Sequence, residues 1–384
     1  MSGPSPTQGR RVRIAIVAAS LRILGGQAVQ AQRMLDGWRH DPDVEAWLVP
    51  INPVPPRPFD RLLAIKYVRT LVTQVCYWPL LVRELRKADV VHAFSASYSS
   101  FLLAPLPAVI VARLLGKPVI LNYHSGEAPD HLRRSAIAQF IMRNVVDANI
   151  VPSTFLHDVL FSFDIDADVV CNTVDLRQFV YHSRNPLRPR LLCTRNFEPL
   201  YNVACVLRAF ARIQAQHPDA TLTLVGSGSQ DAALRAQAEA LQLKNVTFAG
   251  RVPPSEIHRY YAEADIYVQA PSIDNMPLSV LEAFASGMPV VSTNVGGVPS
   301  ILRDGVDGRL VADDDDEALA RGILNLLADP VFARGLAGSA HHTLTAYEWP
   351  VIREGWLRAY RRIAARHHEQ GAVQPVTDAP SNPA

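Results

Sequence analysis

Hydrophobic and polar positions along the chain fall into two alternating patterns. Short runs rich in Val and Ile, apolar in unbroken succession, read as buried parallel strands. Between them, apolar residues recur every three to four positions, as on one face of a helix. The first strand is predicted at Val12–Val17, and a Gly25-Gly26 turn then opens a helix through Trp38. Further strands are predicted at 46–49, 90–93, 119–123, 148–151 and 168–171. A second series starts at Arg190–Thr194 and continues at 220–225, 246–249, 265–269, 289–292 and 309–311. Helices are clearest at 203–217 and 230–241. This alternation predicts an α/β protein with doubly wound parallel sheets covered on both faces. The two series meet near Asn185–Pro189, which predicts two Rossmann-like domains, residues 1–187 and 188–348, facing across a cleft. The last helix, 349–367, is rich in aromatics and Arg and is expected to cross back onto the first domain. Residues 1–10 and 368–384 are polar and Pro-rich and are expected to be disordered.

With 384 residues, 48% hydrophobic and 19% charged, the chain can fill two ordinary cores. The formal net charge of +2 hides an asymmetry. Residues 1–190 carry 22 Lys and Arg against 15 Asp and Glu, and the remainder 16 against 21. A basic half suits an anionic partner such as a lipid headgroup or charged glycan, and equally a solvated Arg-rich surface. Cys76, Cys171, Cys193 and Cys205 form no C-x-x-C pair and no metal-ligand spacing, which suits a reducing, cytoplasmic compartment. The start, MSGPSPTQGRR, lacks the apolar core of a secretory signal. The longest apolar run, Phe101–Leu115, contains two prolines and Arg113 and is too short to span a membrane. Residues 59–87 mix apolar residues with Arg61, Lys66, Arg69, Arg83, Arg86 and Lys87. Such a stretch can lie on the inner face of an anionic membrane, with Tyr77 and Trp78 at the interface. A core helix with a solvated polar face gives the same pattern and is its commoner source.

The most informative segment is PSIDNMPLSVLEAFASGMPVVSTNVGG, from Pro271 to Gly297. Asp274 and Glu282 stand eight residues apart, Pro277 opens an apolar helical run, and Gly287 closes it. The amides of Asn275 to Ser279, Met276, Pro277 and Leu278 between them, should then face outward from a helix N-terminus, which attracts anions. Glu282 sits within the apolar helix, where a charge needs a partner such as a ribose diol.

Further motifs occur in a fixed order. They are Gly25-Gly26, Tyr123-His124-Ser125-Gly126, Cys171-Asn-Thr-Val-Asp175, Arg195 after a strand, Gly226-Ser-Gly228, and the Asp274–Glu282 block. In this order the chain resembles a retaining glycosyltransferase of family 4, with the two-Rossmann-domain GT-B architecture, over residues 12 to 345. The resemblance implies hexose transfer from a nucleotide-diphosphate sugar to a glycan, lipid-linked or small-molecule acceptor, with no resident cofactor and no metal. Catalytic roles fall to His124 and Asp274, beside the sugar, and to Arg195, on the leaving diphosphate. Donor contacts fall to Gly25, Gly26, Arg195, Asn275, Met276, Pro277, Leu278 and Ser279, with Glu282 on the ribose and Arg251-Val252 beside the base.

Two departures from the family stand out. Asp274 replaces the first Glu of the family's pair and is one methylene shorter. The Lys expected five residues after Arg195 is Leu200, and no Gly follows it. A catalytically impaired nucleotide-sugar-binding or scaffold protein is therefore the alternative reading. A phosphorylase would need a Schiff-base Lys, and Lys244, in a helix-end turn, is the only Lys after Lys117. The D-x-D at Asp164–Asp168 lies in a connecting segment, and Asp313–Glu317 reads as a helix N-terminus. No nucleic-acid motif is present.

Overall fold

The computed structural model describes residues 10–22 and 25–372. The expectations for residues 1–9 and 373–384 lie outside the described residues. Twelve strands are present among the described residues: β1 (Val12–Ala18), β2 (Val44–Pro50), β3 (Val90–Ser95), β4 (Val119–Tyr123), β5 (Ala148–Val151), β6 (Asp168–Val169), β7 (Arg190–Cys193), β8 (Thr221–Val225), β9 (Val246–Gly250), β10 (Ile266–Val268), β11 (Val290–Thr293) and β12 (Arg309–Val311). They form two six-stranded sheets, ordered β2-β1-β3-β4-β5-β6 and β12-β11-β10-β7-β8-β9. Every pairing recorded within them is parallel.

Five helices matter below: α1 (Gly26–Trp38), α2 (Lys66–Leu85), α3 (Val203–Gln216), α4 (Leu278–Ala285) and α5 (Trp349–Ala372). The last runs on past the expected end at residue 367. The chain divides into two compact units. One holds the residues up to Tyr123, Ala136–Ile150 and the segment from Arg353; the other holds His124–Ser135 and Val151–Ile352.

In the first unit the central strand shows why the sequence reads as an unbroken apolar run. Ile14, Ala15, Ile16 and Val17 are all fully buried, so both faces of β1 are covered. The α5 segment is fastened to the same unit by charge and aromatic packing. Arg353 Nε donates to Asp41 at 2.5 Å and its Nη2 to Asp43 at 2.6 Å. Trp356 stacks on the buried His92 ring at 4.4 Å, and Tyr360 Oη bonds His92 Nδ1 at 2.7 Å.

In the second unit, strand alternation sorts the core into two clusters. Leu191 and Cys193 of β7 face one cluster, with Val206, Phe210 and Ile213 of α3. Leu192 faces the other, with Val280, Leu281 and Phe284 of α4. The acidic run caps a helix as its composition suggests: Asp315 accepts from the Ala318 amide at 2.8 Å, opening helix Asp316–Ala328. Asp314 and Asp316 also bind Arg208.

Candidate functional site

The order of the second sheet turns back at β7, which has β10 on one side and β8 on the other. Loops leaving the carboxyl ends of such strands frame a crevice. Arg195 leaves β7 there, and Asp274 follows β10.

Arg195 is 9% exposed and holds three different contacts. Nη2 donates to the Asp274 carboxylate and Nη1 to Ser279 Oγ at 3.2 Å. The guanidinium carbon stacks 4.0 Å above the Tyr201 ring, a cation–π contact. Its Nε is buried and has no hydrogen-bond partner among the described residues. Burial opposes the charge on Arg195, but the adjacent Asp274 carboxylate overcomes it and holds the pKa above the usual arginine value.

Two backbone clamps fix the loops that carry this pair. Gly226 has φ +155°, and a Cβ there would lie 2.1 Å from the Arg195 carbonyl oxygen. Gly297 presses on the other loop: its Cβ would lie 1.7 Å from the Asn275 oxygen, while its amide donates to the Asp274 carbonyl at 2.8 Å. Only glycine permits either approach.

The helix N-terminus differs from expectation in two details. Pro277 is extended (φ −68°, ψ 109°) and precedes the helix, which starts at Leu278. The Asn275 amide is taken by Asp274 Oδ1 at 2.8 Å, and proline has no N–H. The amides of Met276, Leu278 and Ser279 remain as donors at this end of α4. Met276 turns its side chain inward, where its sulfur accepts from the Asn172 amide at 3.4 Å. Asn275 is buried and bonded by Ser153 Oγ. Gly287 closes the run in the left-handed region, φ +72°.

Glu282 lies one turn into α4 and is partly buried. Tyr261 Oη donates to its Oε2 at 3.0 Å. Burial, and then the Glu282 charge, push the Tyr261 pKa well above its ordinary value, so the phenol stays a donor. From Tyr261 a buried polar chain runs back to Arg195. It passes through Thr194 (2.7 Å), Tyr267 (3.4 Å), Gln269 (3.3 Å) and Ser279 (3.3 Å). The sequence reading missed Tyr201, Thr194, Tyr261, Tyr267 and Gln269. The one available signal was a polar Thr and Gln at the ends of otherwise apolar strands.

His124 heads the loop after β4, and Gly126 of that loop lies against the Asp274–Asn275 backbone, its Cβ position 3.6 Å from the Asn275 amide. The His124 Nε2 is enclosed by protein, and burial pushes the ring's pKa down to about 3. The imidazole is therefore neutral at ordinary pH, able to accept or donate one hydrogen bond but not to supply charge. Leu200 sits in a short turn, its carbonyl accepting from the Ser272 amide at 2.9 Å. Arg251 is exposed after β9, while Val252 packs against the cluster of α4.

Gly25 and Gly26 belong to the first unit. Gly25 is extended (φ −169°) and caps α1, and nothing lies within 4 Å of a Cβ at either position. Packing thus gives no reason for glycine at this turn.

Two family models match adjoining parts of the chain, together spanning residues 25–341. Residues 25–178 match Glycosyltransferase Family 4 and residues 178–341 match Glycosyl transferases group 1. The chain belongs to glycosyltransferase family 4. This family 4 protein is 28% identical over 301 residues to a glycogen synthase of Mycobacterium tuberculosis, covering 74% of the chain and 70% of the relative. It is 29% identical over 206 residues to a phosphatidyl-myo-inositol mannosyltransferase of Mycolicibacterium smegmatis, covering 52% of the chain and 53% of the relative. Among solved structures, Anabaena HepE in complex with UDP is similar in fold, with a TM-score of 0.71 at 17% identity over 92% of the chain and all of HepE. As a family 4 glycosyltransferase it has the GT-B fold that the resemblance implied, with the parallel α/β sheets predicted from the alternating pattern.

Proposed function

We propose that this glycosyltransferase moves a hexose from a nucleoside-diphosphate sugar to a glycan, lipid-linked or small-molecule acceptor, retaining the anomeric configuration and using no resident metal. The observation that carries the reading is the buried guanidinium of Arg195, with Nε unpartnered and the α4 amides beside it. A diphosphate would accept from all of them. As the sugar–oxygen bond breaks, negative charge grows on the leaving diphosphate, and preorganised donors stabilise that charge. The leaving oxygen can take the acceptor's proton as the new bond forms on the same face. Neutral His124 and Asp274 would hold sugar hydroxyls, and Glu282, oriented by Tyr261, the ribose. One relative is described as a GDP-mannose-dependent mannosyltransferase and HepE was solved with UDP, so both bases must be tried. The unbridged cysteines fit a cytoplasmic enzyme, with membrane contact at most peripheral.

Calorimetric titration with UDP-glucose and GDP-mannose, with EDTA and then with Mg²⁺, tests this. One donor should bind without metal. Glu282→Ala should weaken it about 10–100-fold, the worth of hydrogen bonds to a charged group. Failure of both donors to bind would overturn the reading. Donor binding with neither transfer nor hydrolysis would favour the scaffold alternative, which the missing cation at Leu200 motivates.

Asp274 gives a second test. A bare nucleoside diphosphate must displace this carboxylate from Arg195. Asp274→Asn should tighten UDP or GDP about tenfold while transfer falls, as titration and initial rates would show. Unchanged affinity for the bare diphosphate would mean that Arg195 does not meet the phosphates.

A further inference from the structure

The solvent side of α2 is not the polar face that a core helix carries. Leu71, Val75 and Trp78, at spacings of four and three, share one face and are 67%, 65% and 39% exposed. The adjoining face, with Tyr77 and Leu81, is fully buried. From Thr70 to Val82 there is no charged residue at all. The helix is thus apolar on both sides, which an ordinary water-facing helix avoids.

The patch continues beyond α2. Gln74 donates to the Leu103 carbonyl at 2.9 Å and Tyr77 to the Ala104 carbonyl at 2.8 Å. These bonds bring up Leu102 and Leu103, which are 45% and 41% exposed.

Charge surrounds this patch with one sign. Residues 57–87 hold seven Lys and Arg against Asp60 and Glu84. Glu84 is buried and already held by Arg83 and Lys87, each at 2.7 Å. Arg61, Arg69 and Arg86 are exposed and make no ion pair among the described residues. A second copy of the chain would set these arginines against their own kind, whereas an anionic bilayer satisfies them and the apolar stripe together. No helix among the described residues is long and apolar enough to cross a membrane, so the contact is with a surface.

We propose that the exposed face of α2, with Leu71, Val75 and Trp78 inserted and Arg69 and Arg86 at its ends, seats the first unit on an anionic lipid bilayer. The indole of Trp78 sits at headgroup level, amphipathic as such positions require. This surface stands independently of the donor site.

Flotation of the full chain with vesicles of phosphatidylglycerol and phosphatidylcholine, against phosphatidylcholine alone, tests it. The protein should float with the anionic vesicles only, and raised salt should weaken binding. Leu71→Ser/Val75→Ser/Trp78→Ser should lower partitioning at least about tenfold, with an unchanged melting curve and unchanged nucleotide-sugar affinity. Arg69→Gln/Arg86→Gln should weaken binding to anionic vesicles while leaving the apolar stripe intact. Should the triple variant misfold, doxyl-labelled lipid should quench wild-type tryptophan fluorescence and lose most of that effect in Trp78→Phe. Equal flotation of the folded triple variant, or no flotation of the wild type, overturns the proposal. So does a wild-type dimer that the triple variant dissolves without any lipid binding. Loss of donor affinity with vesicle binding retained would count against the donor site alone.

Discussion

Arg195→Ala is expected to lower kcat roughly 10²–10³-fold, the scale for removing a preorganised donor to a developing charge. Three contacts disappear with this side chain: the Asp274 ion pair, the Ser279 hydrogen bond and the Tyr201 stack. The change also strands a largely buried carboxylate, and breaking a buried pair from one side costs up to about 3–5 kcal/mol. Activity and stability are therefore separated by a second variant. Arg195→Ala/Asp274→Ala should recover much of the melting temperature and none of the turnover. Arg195→Lys should keep charge but lose the planar fork and the stack, giving an intermediate rate. Rates measured with saturating donor, alongside thermal melts, check all three. If the single and double alanine variants turned over like the wild type, Arg195 would have no role in the leaving group.

Gly297→Ala is the second large effect, and it acts through the backbone. A methyl group cannot sit 1.7 Å from the Asn275 oxygen, so the Asp274–Asn275 loop must move or the fold must yield. A loss of about 4 kcal/mol or more is expected, a size that takes a specific mechanism such as this backbone clash. Gly26→Ala is the control, since nothing lies within 4 Å of its Cβ. It stands at the first residue of α1, where alanine is the better helix former, so stability should change by less than about 1 kcal/mol. Denaturant unfolding of the two variants compares them directly. A Gly297→Ala protein as stable as the Gly26→Ala protein would contradict the close approach.

The inner strands were legible because both their faces are covered, which writes them as continuous apolar runs such as Ile14–Val17. The Asp274–Glu282 block was legible because a helix start, a carboxylate pair and the closing Gly287 lie within one short segment. What could not be read is what the strand order assembles. Thr194 and Tyr261 lie 67 residues apart and bond only because β7 and β10 are neighbours. Tyr201 follows Leu200 with nothing to mark it, yet its ring covers the guanidinium of Arg195. The amide expected at Pro277 does not exist, and that of Asn275 is spent on its own neighbour, because an Asp in a turn captures the next backbone N–H. The exposed face of α2 was also ambiguous from sequence, since one apolar pattern serves both a core and a membrane surface.

On the proposed reading, the Arg195–Asp274 pair is an internal competitor for the donor. A complete donor can displace it at little loss, since sugar hydroxyls would receive the carboxylate while phosphate receives the guanidinium. Once the hexose has been transferred, that exchange fails on one side. The carboxylate no longer has a hydroxyl partner and returns to Arg195, pulling the cation from the spent nucleotide. On the proposed reading, the same contact that makes the resting enzyme self-neutral also drives product release, so each turnover ends by resetting the site.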